Sequence, residues 1–404
     1  METNMHLLLF DVDGVLVDDR GYRAAVIAVV NYFSHQLGLS DTTLQISSMD
    51  IFHAHGFVNE WDYCPFIIGI LIVELAKCIP GTTLYAAPLE IFLPQLRSIG
   101  FHTLHPPFDQ YLAQADRAAG RPSQRALKVL LNNLETAALT EPTRSAMKVA
   151  LHELLDDPYD FRRSPVTQVF QEYIVGSRSY AETYQVPPRF DLPSLLLSED
   201  RPLLKPGHKL LLDTWQRAGI AKTCVYTARL SQAPIDRING LNKLIGYSPE
   251  AELAIDLVQM HGYPLIASGQ MMWLAEQVQQ PIESMTKPAP VQALAAIGAA
   301  ISNDQPAALQ AAYALQSTGK LIKPLAELTK QSVEVWVVED AMLGLQAAWG
   351  AIDLLQEKSI VAHLHPIGIA TGGPKAVVLQ SLCDIVLPDV NAAIDHIAQS
   401  LPAD

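Results

Sequence analysis

The stretch Leu7–Asp18, LLLFDVDGVLVD, begins with a short apolar run and then places two aspartates on either side of a single valine. An apolar run of this length suits a strand that is buried on both faces of a parallel sheet. Asp11 and Asp13 come at the carboxyl end of that strand, and Gly14 permits a sharp turn out of it. Residues two apart point the same way along an extended segment, so both carboxylates can face one reacting group. In open α/β sheets this edge is where ligands bind.

Similar apolar runs recur later in the chain and alternate with helix-like stretches. The runs are Cys224–Thr227, Val333–Val338, Ile367–Thr371 and Asp384–Leu387. The helix-like stretches are Lys209–Ala218, Val291–Ala300 and Leu343–Ala351. This alternation of strand and helix predicts an α/β fold with a Rossmann-like, three-layer core around a parallel sheet.

The alternation is lost between Asp18 and about Leu204, where long amphipathic runs such as Ser123–Ala138 and Thr143–Leu155 indicate helices. We therefore predict two domains. Residues 1–18 and 205–404 form a discontinuous sheet domain, and residues 19–204 form a mostly α-helical inserted domain. The most apolar segment, Pro65–Ala76, is too short for the roughly 20 residues that span a bilayer, and it predicts a buried helix.

Composition narrows the class of protein. The chain has 404 residues and a net charge of −14, with 49% hydrophobic and 17% charged residues, which is typical of folded globular domains. No dense block of Lys and Arg occurs, so we expect neither nucleic acid nor a membrane surface as a partner. The expected partner is a small molecule. Scattered cysteines and the lack of a signal-peptide core predict a cytoplasmic protein. The composition is compatible with a monomer or a homodimer.

Further polar residues follow the later strands in a fixed order. Thr227 closes TCVYT, Lys287 lies in TKPAP, and Glu339–Asp340 close VEVWVVED. Together with DxDG at Asp11–Gly14, this set resembles the haloacid dehalogenase (HAD) superfamily of phosphotransferases. The flanking segments PGHKLLLDTWQRAGI and EDAMLGLQAAWGA agree with that family's pattern. The resemblance covers residues 1–18 and roughly 205–395, so the sheet domain is the expected catalytic core.

The resemblance implies a role for each matched residue. Asp11 would be the nucleophile that forms an aspartyl-phosphate, and Asp13 would be the general acid and then the general base. The Thr227 hydroxyl and the Lys287 ammonium would hold the phosphoryl oxygens. Mg²⁺ would be bound by oxygen ligands, which are the expected donors for a hard cation. These ligands would be Asp11, the Asp13 backbone carbonyl and Asp340, with Glu339 as a supporting or alternative ligand.

Lys287 is separated by 60 residues from Thr227 and by 52 from Glu339, and both intervals are long for this superfamily. Lys243 and Lys323 are therefore alternatives, although neither is followed by the PxP sequence that follows Lys287. The expected activity is Mg²⁺-dependent hydrolysis of a small phosphorylated metabolite. A phosphomutase acting on a sugar phosphate, or a non-catalytic binding protein on the same scaffold, remain the alternatives.

The insertion matches in position the helical cap of many HAD enzymes, which excludes water and selects substrates. Its segment GFVNEWDYC resembles a cap element in a subgroup of HAD hydrolases and carries Asn59 and Trp61; alternatively, Asp62 in that segment caps the following helix while Trp61 packs. Arg20 and Arg23 follow directly on the nucleophile loop and could contact an anionic substrate. The residues predicted to bind substrate are Gly14, Arg23, Asn59, Trp61 and Arg229.

Overall fold

The apolar run near the start of the chain forms a central strand of a parallel sheet. The computed structural model describes residues 4–39, 46–100, 104–234 and 247–401. Within those ranges the strands are β1 (Met5–Phe10), β2 (Val17–Asp18), β3 (Arg201–Pro202), β4 (Ala221–Tyr226), β5 (Leu265–Ile266), β6 (Val333–Glu339), β7 (Ala362–Ile369) and β8 (Ile385–Leu387).

The main sheet has the strand order β5-β4-β1-β6-β7-β8, and each neighbouring pair is parallel. This arrangement confirms the predicted α/β class with a parallel sheet. β2 and β3 form a separate antiparallel pair. The sequence patterns do not predict β5, because two residues are too few to show a period. Since the strands are parallel, the carboxyl ends of β1, β4 and β6 meet at one edge of the sheet.

The chain divides into two compact units. The helical unit is Arg20–Ser198, and the sheet unit is made of Met1–Asp19 and Glu199–Asp404. The structure places residues 199–204 in the sheet unit because β3 pairs with β2. Within the described residues the helices between the start of the helical unit and β3 are α1 (Arg20–Gln36), α2 (Ile46–Ala54), α3 (Glu60–Lys77), α4 (Leu89–Arg97), α5 (Phe108–Ala115), α6 (Pro122–Glu135), α7 (Glu141–Leu155), α8 (Pro165–Val175), α9 (Ser177–Tyr184) and α10 (Leu195–Glu199).

Helix α3 contains the most apolar segment of the sequence and is the buried helix of the helical unit. Its residues are buried almost without interruption from Asp62 to Ala76. Gly69 lies so close to the Leu130 side chain of α6 that a Cβ atom would overlap it. In the part of the chain that the structure describes, no helix combines the length and apolarity needed to cross a membrane.

The sheet unit carries the remaining helices of the described ranges. They are α11 (Pro206–Ala218), α12 (Glu250–Leu257), α13 (Ser268–Val278), α14 (Pro290–Ser302), α15 (Gln305–Thr318), α16 (Met342–Gln356), α17 (Gly373–Gln380) and α18 (Val390–Ala398). Short 3-10 helices cover Ile282–Ser284 and Leu325–Lys330.

Both faces of the main sheet are covered by helices, and β1 shows how the sequence achieves this. Leu7 and Leu9 belong to an apolar cluster that includes residues of α14 and α16. Leu8 and Phe10 point to the other face and join a cluster with residues of α11, α12 and α18. A strand buried on both faces must be apolar at every position, which is why the run LLLF carries no alternation.

Candidate active site

The residues of the DxDG motif and of the acidic pair meet at the carboxyl edge of the main sheet. Asp11 directly follows β1, and Glu339 ends the neighbouring strand β6. The Asp11 amide donates a hydrogen bond of 3.1 Å to the Val338 carbonyl, so the ladder between the two strands continues up to the site. The parallel register therefore brings together carboxylates that are more than 300 residues apart in sequence.

Three carboxylates form the centre of the site. One carboxylate oxygen from each of Asp11, Glu339 and Asp340 lies within 4.8 Å of the other two. Burial raises the pKa of Asp11 and of Glu339 above their ordinary values, and repulsion from Asp11 raises the pKa of Glu339 further. Burial and the charge of Asp11 raise the pKa of Asp340 to about 6. A cluster of this kind is stabilised by a cation placed among its oxygens.

Lys287 supplies one such positive charge. Its Nζ donates hydrogen bonds to Asp11 Oδ1 at 2.9 Å, to Glu339 Oε1 at 2.5 Å and to the Tyr226 carbonyl at 3.1 Å. Burial lowers the pKa of Lys287, but the charges of Asp11 and Glu339 outweigh that effect and raise it. Of the two alternatives, Lys323 is largely exposed beside Glu327, and Lys243 lies outside the described residues. The structure thus brings Lys287 to the acidic cluster.

Thr227 follows β4, the other neighbour of β1. It has no exposed surface, and its hydroxyl accepts a hydrogen bond of 3.2 Å from the Arg229 amide. Gln292 of α14, which the sequence patterns did not indicate, connects Thr227 to Lys287. Its Nε2 donates to the Thr227 carbonyl at 2.9 Å, and its Oε1 accepts from the Lys287 amide at 3.0 Å. Gln292 is fully buried, and it holds the backbone on both sides of the site.

Two glycines allow the carboxylates to approach the backbone. Gly14 has φ of 70°, and a Cβ atom there would overlap Asp340 Oδ2. A Cβ atom at Gly344, in the first turn of α16, would overlap Glu339 Oε1. Gly14 was predicted to bind substrate, but its amide donates to the Val17 carbonyl at 2.8 Å. In the structure Gly14 makes room for Asp340 and turns the loop, and its role toward a substrate stays a prediction.

Asp13 and Arg229 form an ion pair beside the cluster. Arg229 donates to Asp13 Oδ1 from Nε at 2.8 Å and from Nη2 at 2.5 Å, and Nη2 also donates to Asp200 Oδ2 at 2.9 Å. The Arg229 side chain is only 1% exposed. It was predicted as a substrate contact; in the structure its guanidinium lies between two carboxylates of the protein, and its role toward a substrate stays a prediction.

Lys375 is a second basic residue at this edge that the sequence reasoning missed. It lies in the first turn of α17, and its Nζ contacts Asp340 Oδ2, with the side chain 49% exposed. In the segment TGGPK two glycines precede the lysine, and both have positive φ, which turns the chain just before Lys375.

Arg23, Asn59 and Trp61, which were predicted to bind substrate, all lie in the helical unit. Arg23 is part of α1 and is partly exposed. Asn59 precedes α3, and its side chain accepts a hydrogen bond of 2.8 Å from the Trp61 amide, so Asn59 rather than Asp62 caps the helix. The Trp61 ring packs edge-on against Tyr159 with 5.6 Å between ring centres. Local packing accounts for Asn59 and Trp61, and their role toward a substrate stays a prediction.

A cavity of about 390 Å³ lies near the opposite ends of the same strands. Its lining includes His6 and Glu334, each the second residue of its strand, together with Trp336 and His365. None of Asp11, Lys287, Glu339 and Asp340 lines it. The concentration of charged groups at the carboxyl edge therefore identifies the candidate site better than cavity volume does.

Comparisons with known proteins support the fold. No protein family and no curated protein matches the sequence. The chain is similar to an X-ray structure from a structural genomics consortium, with a TM-score of 0.63, 15% identity and 99% of each chain covered. Looser similarities are to a phosphatase from Thermococcus thioreducens, with a TM-score of 0.43, 13% identity, and 97% of this chain and 99% of that chain covered. A hydrolase from Pseudomonas syringae has a TM-score of 0.29 and 10% identity over 98% of this chain and 99% of that chain. At such identities the first similarity shows the fold alone.

Proposed function

We propose that this chain is a Mg²⁺-dependent phosphatase that hydrolyses a small phosphorylated metabolite through an aspartyl-phosphate on Asp11. The observation that carries the proposal is the cluster of Asp11, Glu339 and Asp340, in which Asp11 and Glu339 are buried and form ion pairs with the Lys287 ammonium. A phosphoester dianion needs a carboxylate nucleophile to be screened by positive charge, and this edge of the sheet concentrates both kinds of group.

The residues present fit a hard divalent cation. All the candidate ligands are oxygen atoms, and within the described part of the chain the buried Glu339 Oε2 has no hydrogen-bond partner. Asp11, the Asp13 backbone carbonyl and Asp340 would hold Mg²⁺, with Glu339 as a supporting or alternative ligand. When bound, Mg²⁺ supplies positive charge that offsets the repulsion between the phosphoryl oxygens and the carboxylates.

The proposed reaction assigns one task to each side chain. An Asp11 carboxylate oxygen forms a bond to phosphorus as the ester P–O bond breaks, and Asp13 gives its proton to the departing alkoxide. Asp13 then takes a proton from the water that attacks phosphorus, which releases inorganic phosphate and restores Asp11. Lys287 stabilises the charge on the phosphoryl oxygens. Thr227 is assigned the same role, for which its buried hydroxyl would have to become accessible to the phosphoryl group.

The predicted role of the helical unit as a cap that selects the substrate is part of this proposal. The helical unit comprises residues Arg20–Ser198, including the predicted substrate residues Arg23, Asn59 and Trp61. An inserted unit of this size can select among phosphorylated metabolites while the chemistry stays on the sheet unit.

The test is to replace the nucleophile and measure turnover of p-nitrophenyl phosphate with Mg²⁺. Asp11→Asn should reduce turnover to background, because an amide cannot accept the phosphoryl group. Asp353→Asn, an exposed position on α16, is the matched control and should retain the wild-type rate. EDTA should remove the wild-type activity, and added Mg²⁺ should restore it.

Other outcomes identify the alternatives. If the Asp11→Asn variant turns over p-nitrophenyl phosphate at the wild-type rate, the proposed mechanism is excluded. If EDTA does not change the activity, the metal assignment is excluded. Dependence on a sugar bisphosphate without net release of phosphate would indicate a phosphomutase. Binding of phosphorylated metabolites without any turnover by the wild-type protein would indicate a non-catalytic protein.

A further inference from the structure

Arg229 is held in an unusual environment for an arginine. It lies two residues beyond Thr227 in the loop after β4, and its side chain is 1% exposed. Its guanidinium is placed between two carboxylates, with both Nε and Nη2 directed to Asp13 Oδ1 and Nη2 also directed to Asp200 Oδ2. Arginine is rarely buried in this way unless its charge is balanced at close range.

Asp200 is itself fixed with respect to the loop that carries Asp13. It is almost fully buried and directly precedes β3. β3 pairs with β2, which follows Asp13 by four residues, and the Leu203 amide donates a further hydrogen bond of 2.8 Å to the Leu16 carbonyl. The Asp200 carboxylate and the Asp13 loop are therefore parts of one hydrogen-bonded framework, with Arg229 between them.

Such an arrangement is a poor way to gain stability. Removing the Arg229 guanidinium and the Asp200 carboxylate from water carries a large desolvation cost, which well-packed apolar side chains of similar volume would avoid. The interaction instead orients Asp13, because two donors converge on one oxygen, Oδ1. The Asp13 side chain remains 33% exposed, and neither of these bonds from Arg229 uses Oδ2.

We propose that Arg229, fixed by Asp200, is a positioning residue that orients the Asp13 carboxyl for proton transfer. The inference rests on the proposed function, in which Asp13 is the general acid. The Arg229 guanidinium gives up no proton: the proton moves from Asp13 Oδ2 to the ester oxygen as that oxygen leaves phosphorus. The Arg229 amide also donates to the Thr227 hydroxyl, so one residue restrains two of the groups assigned to the reaction.

The experiment compares two substrates that differ in their need for a general acid. p-Nitrophenyl phosphate releases a stable phenolate that needs little protonation, whereas phenyl phosphate releases a more basic one. Arg229→Lys keeps the charge but loses the forked contact with Asp13. It should lower kcat for phenyl phosphate at least about 10-fold more than kcat for p-nitrophenyl phosphate, within the range of general-acid catalysis, with KM for both changed less than about two-fold.

Asp200→Asn is the second variant, since it keeps the shape of the side chain while loosening the hold on Arg229. It should shift the same ratio of kcat values in the same direction by a smaller factor. Arg217→Lys is the matched control, because Arg217 lies on the exposed surface of α11, where its Nε donates to the backbone carbonyl of Asp213. Each variant is checked by its thermal unfolding curve, so that a loss of folded protein is separated from a change in the ratio.

The outcomes separate this inference from the proposed function. If the wild-type protein turns over p-nitrophenyl phosphate and Asp11→Asn does not, the function stands. An unchanged ratio in a folded Arg229→Lys or Asp200→Asn protein then overturns the inference alone. In an Asp13→Asn background, Arg229→Lys should leave the ratio unaltered, because the group that it orients is gone. A further change there would also overturn the inference.

Discussion

Glu339 in the sheet unit and Glu172 in the helical unit are both completely buried, yet their surroundings differ. Glu172 accepts hydrogen bonds on both oxygens, from the Ser177 hydroxyl at 2.7 Å and from the amides of Phe190 and Arg189 at 2.8 Å each. Glu339 shares its Oε1 with Lys287, and its Oε2 has no hydrogen-bond partner in the described part of the chain.

The comparison separates a carboxylate that holds a fold together from one that is available for chemistry. Glu172 accepts hydrogen bonds from three residues, and these donors balance the charge of its carboxylate. Glu339 faces the like charges of Asp11 and Asp340, and burial together with the charge of Asp11 raises its pKa. A buried acid whose donors are incomplete and whose neighbours repel it is suited to binding a cation, whereas a saturated one is not.

Among the tests of this comparison, the largest effect is expected when each glutamate is replaced by glutamine in a separate variant. Glu339→Gln should lower kcat/KM for p-nitrophenyl phosphate about 10- to 100-fold, because it weakens the hold on Lys287 and removes a candidate metal ligand. Its thermal stability should stay near that of the wild type, since one repelling charge is lost.

Glu172→Gln should show the opposite pattern. An amide group in place of one carboxylate oxygen turns a donor toward a backbone N–H, which should destabilise the helical unit by about 1–3 kcal/mol. The activity per folded molecule should remain at the wild-type level. Unfolding curves and steady-state kinetics on both variants check the contrast, and a Glu339→Gln protein that loses stability but keeps its activity would reverse the assignment.

The next effect is on stability as a function of pH in the metal-free protein. The pKa of Asp340 is about 6 in the folded chain against 3.8 for the free side chain, and the pKa values of Asp11 and Glu339 are raised too. The folded state therefore holds protons that the unfolded state has lost. The raised pKa values therefore lower the free energy of unfolding as the pH rises. This loss is absent below about pH 4 and is complete above the pKa values of the folded protein.

For Asp340 alone the shift corresponds to about 3 kcal/mol lost between pH 4 and 7. Urea unfolding in EDTA at pH 5 and pH 7.5 measures the loss, and Asp340→Asn should reduce it. Saturating Mg²⁺ should raise the free energy of unfolding more at pH 7.5 than at pH 5, because only the ionised cluster binds the cation well. A Mg²⁺ effect of equal size at both pH values would contradict a carboxylate site.

How far the sequence predicts this site depends on whether a contact follows from the order and direction of the strands. The apolar runs before Asp11, Thr227 and Glu339 predict buried parallel strands, and parallel strands necessarily bring their carboxyl ends together. Lys287 also lies where its local sequence suggested, although its contact with Asp11 spans 276 residues. The α/β class was predicted for the same reason, since it follows from periodicity and order alone.

The side-chain contacts between loops were not predictable in this way. The bond between Asp13 and Arg229 joins residues 216 apart, and the sequence around Arg229 gives no sign that its partner is a carboxylate of the protein rather than a substrate. The role of Gln292 is equally unpredictable from sequence, because a single glutamine on an apolar helix matches no functional motif. Such residues are recognised only once the register of the strands has placed the backbone groups that they bond.

The smallest expected effect concerns the exposed end of the same charged edge. Lys375 contacts Asp340 from the rim, with half of its side chain in solvent, so its field at the site is screened more than that of the buried Lys287. Lys375→Met should raise KM for p-nitrophenyl phosphate by about 2- to 5-fold and leave kcat nearly unchanged, as expected when an exposed ionic contact worth less than about 1 kcal/mol is lost. Lys323→Met, at the largely exposed lysine paired with Glu327, is the matched control and should change neither constant. A fall in kcat as large as that caused by Glu339→Gln would instead place Lys375 in direct contact with the reacting group, and the division between a buried catalytic centre and a screened rim would then be wrong.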